Sequence, residues 1–95
     1  MKVYWTEQAL GHLRAIHDYI AQNSPGYARR IVDRLTRRSE QIGAFPLSGR
    51  VVPEFDIEPV HEILEGPYRI VYAVRPDRVD VLAVIHSSRK VLRDE

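Results

Sequence analysis

The stretch Gly66-Pro67-Tyr68-Arg69-Ile70-Val71-Tyr72-Ala73-Val74-Arg75-Pro76-Asp77-Arg78-Val79-Asp80-Val81-Leu82-Ala83-Val84-Ile85-His86 decides the fold of this chain. Tyr, Ile and Val crowd both of its halves, and such side chains pack well on a pleated surface. Between the halves Pro76 presets φ and Asp77 can bond its own backbone, so the two runs read as strands of a hairpin. A loop of residues 76–78 puts Arg75 opposite Val79, Arg69 opposite Ile85 and Tyr68 opposite His86. Arg69, His86 and the following Arg89 then gather near one edge of the sheet, and the loop length decides which of them share a face.

Upstream of the hairpin, Pro46, Gly49, Pro53 and Pro59 break residues 45–65 into loop and short extended pieces, of which Val60–Leu64 is the best strand. The N-terminal half has helical periodicity instead. Val3–Trp5 is a short apolar strand, Thr6 is suited to cap the helix after it, and Glu7 sits well in the first turn. Ala9, Leu13, Ile16 and Ile20 make one apolar stripe on a helix ending near Asn23. Ser24-Pro25 restarts the chain as an N-cap followed by proline at the first helical position. The second helix has Ala28, Ile31, Val32, Leu35 and Ile42 as its buried face, with Arg30, Arg34 and Arg37 pointing the other way and Gly43 closing it. So short a link makes the helices an antiparallel hairpin. The expected fold is therefore α+β, one domain over residues 1–95. It has an N-terminal strand, the helical hairpin and a mostly antiparallel sheet of three further strands, with room for a helical tail after Ser88.

A chain of 95 residues with net charge +1 neither demands nor forbids a nucleic-acid partner, but its charge is unevenly spread. Residues 29–50 carry Arg29, Arg30, Arg34, Arg37, Arg38 and Arg50 against Asp33 and Glu40. Residues 51–66 carry Glu54, Asp56, Glu58, Glu62 and Glu65 with no Lys or Arg. Local potential steers encounters, so the two segments offer different faces to partners. The acidic run is expected to face solvent or a basic patch on a partner. The basic helix face reads either as a solvated surface or as a docking surface for an acidic protein or a nucleic acid.

Cysteine is absent, which removes disulfides, thiolate zinc sites and cysteine nucleophiles and suits a reducing cytoplasm. No signal-peptide hydrophobic region follows Met1-Lys2, and no aliphatic run is long enough to span a bilayer. His12 and His17 are five apart and diverge around the helix, and His61 has only Glu62 beside it, so neither a metal nor another cofactor is expected. Glycine-rich phosphate loops and nucleophile elbows are lacking. Arg69, His86 and Arg89 are the candidate catalytic group. His86 would move a proton and the arginines would stabilise charge developing on phosphate oxygens in metal-free RNA cleavage. The plainer alternative pairs Arg69 with Glu62 on a neighbouring strand and makes His86 an ordinary strand-end residue.

Several pieces in this order resemble the RelE/ParE superfamily of toxins from type II toxin–antitoxin modules. They are Val3-Tyr4-Trp5-Thr6, Asp18-Tyr19-Ile20-Ala21, Ser24-Pro25, Phe45-Pro46-Leu47-Ser48-Gly49-Arg50-Val51-Val52-Pro53-Glu54, Gly66-Pro67-Tyr68-Arg69-Ile70-Val71-Tyr72 and Val84-Ile85-His86-Ser87-Ser88-Arg89. The resemblance spans nearly the whole chain. It implies a small toxin neutralised by an antitoxin that wraps over the helices and sheet. RelE-like members are ribosome-dependent messenger RNA endonucleases; ParE-like members poison DNA gyrase. The helical hairpin, the Gly49–Glu54 run and the chain end resemble the ParE-like branch, and the tyrosine that endonuclease members place near the chain end is missing here, Tyr72 being the last. The expected partners are thus an antitoxin and DNA gyrase, with ribosome and messenger RNA as the alternative. Arg30, Arg34, Arg37, Arg50 and Arg69 are the candidate partner-binding residues. A third possibility is a degenerate member that only binds antitoxin.

Overall fold

The computed structural model describes residues 1–52 and 60–87. In chain order they form β1 (Lys2–Trp5), α1 (Glu7–Ala21), α2 (Pro25–Ala44), β2 (Arg50–Val51), β3 (Val60–Glu65), β4 (Tyr68–Val74) and β5 (Arg78–His86). The expected tail after Ser88 and the acids Glu54, Asp56 and Glu58 lie outside the described residues. The sheet runs β1-β5-β4-β3-β2. β1 joins β5 in parallel and every other pair is antiparallel, so the sheet is mixed and has one strand, β2, more than the sequence pattern suggests. No helix among the described residues is long and apolar enough to cross a membrane.

Both helices lie on one face of the sheet. Ala9 of α1 and Ile31, Leu35 and Ile42 of α2 share a core with Ile70, Tyr72, Val79, Val81 and Val84, while Leu13, Ile16 and Ile20 pack on its margin. Thr6 caps α1 as expected, its Oγ1 accepting from the Ala9 N–H at 3.2 Å and donating to the Val81 carbonyl at 2.9 Å. One threonine thereby ends β1, starts α1 and ties both to β5. Ser24 occupies the N-cap position of α2, but its side chain makes no capping bond there.

Two residues of α2 depart from their expected roles. Val32 is only partly buried, and the buried position on that side is Ser39, whose Oγ accepts from the Trp5 indole N–H at 3.2 Å. Gly43 does not close the helix, which continues to Ala44 without a left-handed residue. It allows α2 to touch β1: a Cβ there would lie 2.6 Å from the Met1 carbonyl oxygen and 2.8 Å from Val3 Cγ2. Backbone cannot yield as a side chain does, so Gly43→Ala is expected to cost about 1–3 kcal/mol. Urea unfolding measures this directly, and an unshifted midpoint would show that β1 moves aside freely.

The β4–β5 hairpin agrees with its expected register at one end and differs at the other. Tyr68 faces His86 and Arg69 faces Ile85, as a three-residue loop demands. Yet at the turn Val74 faces Val79 and the Arg75 N–H donates to the Arg78 carbonyl at 2.8 Å, so the loop is only Pro76-Asp77. A β-bulge reconciles them. Val71 pairs with Ala83 but Tyr72 pairs with Val81, leaving Leu82 as the extra residue. The extra residue also resets alternation along β5, so that Val79, Val81 and Val84 all reach the helix-side core. At the turn, Asp80 accepts from Arg78 Nε at 2.9 Å and Arg75 Nε at 3.3 Å. Burial alone would raise the Asp80 carboxyl, but these two guanidinium groups outweigh it and hold the pKa below the usual carboxylate range.

Candidate functional site

The face of the sheet away from the helices carries a buried charge hub. Glu62 on β3 lies opposite Arg50 of β2 on one side and Val71 of β4 on the other, and Arg69 is its diagonal neighbour on β4. One carboxylate oxygen, Oε1, accepts from Arg69 Nε at 2.6 Å and is ion-paired with the same guanidinium's terminal nitrogen; Oε2 accepts from Arg50 Nε. Glu62 is 1% exposed and Arg69 7%, whereas the Arg50 side chain is 69% exposed. A buried carboxylate is tolerable only when its lone pairs are met by well-placed donors, and the two strands flanking β3 supply them here. Val52, Val60 and Val71 form a second, smaller core on this face.

Arg50 is positioned by a latch on the other side of the sheet. The Tyr72 hydroxyl, at the helix-facing side of β4, donates to the Pro46 carbonyl at 2.8 Å and accepts from the Gly49 N–H at 3.0 Å. Burial pushes the Tyr72 phenol above its ordinary pKa, against the lowering effect of the bonds from Gly49 and Ser48. Tyr72 is fully buried and His61 stacks on its ring at 5.7 Å. This hydroxyl therefore pins the loop from α2 to β2 and sets where Arg50 begins. Around Arg50, Phe45, Leu47 and Val51 are exposed. Neither the latch nor its dependence on Gly49 is legible in the sequence, where Tyr72 reads simply as a strand aromatic.

Of the candidate catalytic residues, Arg69 and His86 are not brought together. Arg69 points into the Glu62 hub. His86, one register step away, lies on the opposite face with its ring edge-on to Tyr68 at 5.9 Å. Arg89 lies outside the described residues. Of the two readings of Arg69, the pairing with Glu62 is the one observed. The other histidines take local roles. His12 Nδ1 accepts from the Val84 N–H at 3.2 Å, covering the edge of β5 beyond the end of β1, and His17 Nδ1 meets Asp18 at 3.0 Å.

The basic face of α2 is not wholly open to solvent. Arg34 and Arg38 approach Glu65 at 3.5 and 3.8 Å, and the Arg30 guanidinium lies 5.7 Å from the Tyr27 ring centroid. Arg37 is exposed. The acids Glu62 and Glu65, expected to face solvent or a partner, both turn instead to arginines of their own chain. Pairing across the fold brings together charges that the sequence separates into a basic and an acidic block.

Comparison with known proteins places these features in a wider setting. The family model described as ParE toxin of type II toxin-antitoxin system, parDE, matches residues 3–91. Toxin RelE2 of Caulobacter vibrioides is 35% identical over 88 residues, 93% of this chain and 97% of that protein. The solved structure described as the chromosomal ParDE TA system from P. aeruginosa superposes with a TM-score of 0.77 at 21% identity, over 90% of this chain and 95% of that one. At that identity the likeness is one of fold.

Proposed function

We infer the action of this protein from the premise that the chain belongs to the ParE toxin family of type II toxin–antitoxin systems, within the RelE/ParE superfamily. As a toxin it arrests growth by binding and poisoning DNA gyrase, and a cognate antitoxin neutralises it by forming a hetero-oligomer, as the naming of the P. aeruginosa ParDE system suggests for its relative. One observation carries the choice of gyrase over messenger RNA. Arg69, one of the two arginines that the endonuclease reading places with Arg89 at the scissile phosphate, is buried against Glu62 and faces away from His86. A phosphate clamp and a proton-transfer group must reach the same reacting atoms. Exposed Arg50 with Phe45, Leu47 and Val51, and the arginines Arg30, Arg34 and Arg37, suit a protein that works by binding.

The test is induction of the full chain in a bacterial host with and without the gene beside it. Growth should stop, recover on co-expression of the partner, and leave messenger RNA intact, while purified protein inhibits supercoiling or traps the gyrase–DNA cleavage complex. His86→Ala should retain toxicity. If His86 instead moved a proton in RNA cleavage, the substitution would cost about 10²-fold or more in cleavage rate. Ribosome-dependent cuts that vanish with His86→Ala, with gyrase unaffected, would overturn the gyrase assignment. Normal growth at verified soluble expression would leave only the degenerate, antitoxin-binding reading.

A further inference from the structure

Between α2 and the β3–β4 turn lie two adjoining cavities of unlike chemistry. One, about 100 Å³, is lined chiefly by Tyr27, Ile31, Leu35, Pro67 and Tyr68; the other, about 230 Å³, by Arg34, Arg37, Arg38, Gln41 and Glu65. Arg34 and Glu65 border both. The apolar part has room for one aliphatic side chain. The charged part holds three guanidinium groups against a single carboxylate, and those groups are nearly unspent. Among the described residues they make one hydrogen bond, from Arg38 to Gln41 Oε1 at 2.6 Å. Their approaches to Glu65, at 3.5 and 3.8 Å, are ion pairs too long or too oblique to be hydrogen bonds. Among the described residues the buried Arg38 Nε finds no hydrogen-bond partner. Each guanidinium has five N–H donors in a planar fork, so a cluster with so few of them engaged is poised for an incoming anion.

We propose that this two-part groove binds a protein segment in which an apolar side chain is followed by acidic residues. The anchor enters between Tyr27 and Tyr68 and the carboxylates displace Glu65 from Arg34 and Arg38. Glu65 is an internal stand-in: it holds the forks in place in the free protein and competes with the ligand. A nucleic-acid strand fits less well, because its evenly spaced phosphates would meet the Glu65 charge and it has no aliphatic group for the apolar cavity. The inference rests on the reading of this protein as one neutralised by a partner, and it specifies the chemistry by which that partner is recognised.

The experiment uses the purified full chain and a blocked peptide of one leucine followed by four glutamates, with binding followed by amide NMR shifts at low salt. The peptide should perturb amides around Tyr27, Arg34, Arg37 and Tyr68. Loss of two charge-assisted contacts in the Arg34→Ala, Arg37→Ala double variant should weaken binding about tenfold or more. Tyr27→Ala should weaken the leucine peptide and leave an all-glutamate peptide unchanged. Glu65→Gln should tighten binding, since it removes the competitor; a purely structural Glu65 would give the opposite sign. The Arg34→Lys, Arg37→Lys variant, which keeps the charge, should bind with intermediate strength and serves as the folded control. Three results would each overturn the proposal: no shifts at millimolar peptide, weaker binding by Glu65→Gln, or a single-stranded oligonucleotide occupying the groove more tightly than the peptide. These readouts are separable from the growth assay. Arrest without peptide binding removes only this proposal, and peptide binding without arrest removes only the toxin reading.

Discussion

Glu62→Ala is expected to destabilise the fold by about 3–5 kcal/mol, the range for removing one member of a buried ion pair. The carboxylate joins Arg50 of β2 to Arg69 of β4 through β3, and both it and Arg69 are nearly inaccessible. Without it the Arg69 guanidinium stays desolvated with its counter-charge on β3 gone, and Arg50 loses the bond that orients it. A domain of this size shifts its melting temperature by about 4–8 °C per kcal/mol, so the loss is large enough to read in a simple melt. Glu62→Gln keeps the shape and one acceptor and should fall between the parent and alanine. By the same geometry Arg69→Ala leaves a buried carboxylate short of a donor, so any toxicity it loses reports lost folding unless circular dichroism and melting show the fold intact. A Glu62→Ala protein that melts with the parent would mean that water reaches the hub and screens it.

Gly49→Val should be nearly as damaging, costing about 3 kcal/mol or more. A Cβ at Gly49 would collide with the Tyr72 hydroxyl and sit 2.5 Å from the Glu62 carbonyl oxygen. The clash is with a backbone atom of the adjoining strand and with a fully buried ring, neither of which can swing away. Relief requires the loop to lift, which breaks the Gly49 N–H to Tyr72 bond and moves Arg50 off Glu62. Tyr72→Phe removes the latch without adding bulk and should cost about 1–3 kcal/mol, because the Pro46 carbonyl and the Gly49 N–H lose a common partner. The two variants should therefore rank, in urea midpoint, parent above Tyr72→Phe above Gly49→Val. The reverse order would show that the hydroxyl bonds, and not the close approach, hold the loop.

The sequence determined the parts of this protein that repeat with a period or sit at a local signal. The apolar stripe from Ala9 to Ile20, the Thr6 cap, the proline at the start of α2 and the Tyr-, Ile- and Val-rich runs of β4 and β5 are short-range choices, and each agrees with the structure. The family likeness rode on those same local strings. Tertiary structure decided the rest. A two-residue turn and a bulge at Leu82 together imitate the register of a three-residue loop, because one residue lost at the turn is regained inside β5. Gly43 reads as a helix stop in isolation and becomes a contact surface only when β1 lies across it. The charge blocks at residues 29–50 and 51–66 look like opposite faces, yet strand pairing and helix packing bring Glu62 to Arg50 and Arg69 and Glu65 to Arg34 and Arg38. Period and capping depend on neighbours a few residues away, which the sequence displays. Which charges meet, and which face Arg69 and His86 occupy, depends on register and layer order, and these are set by burial summed over the whole sheet.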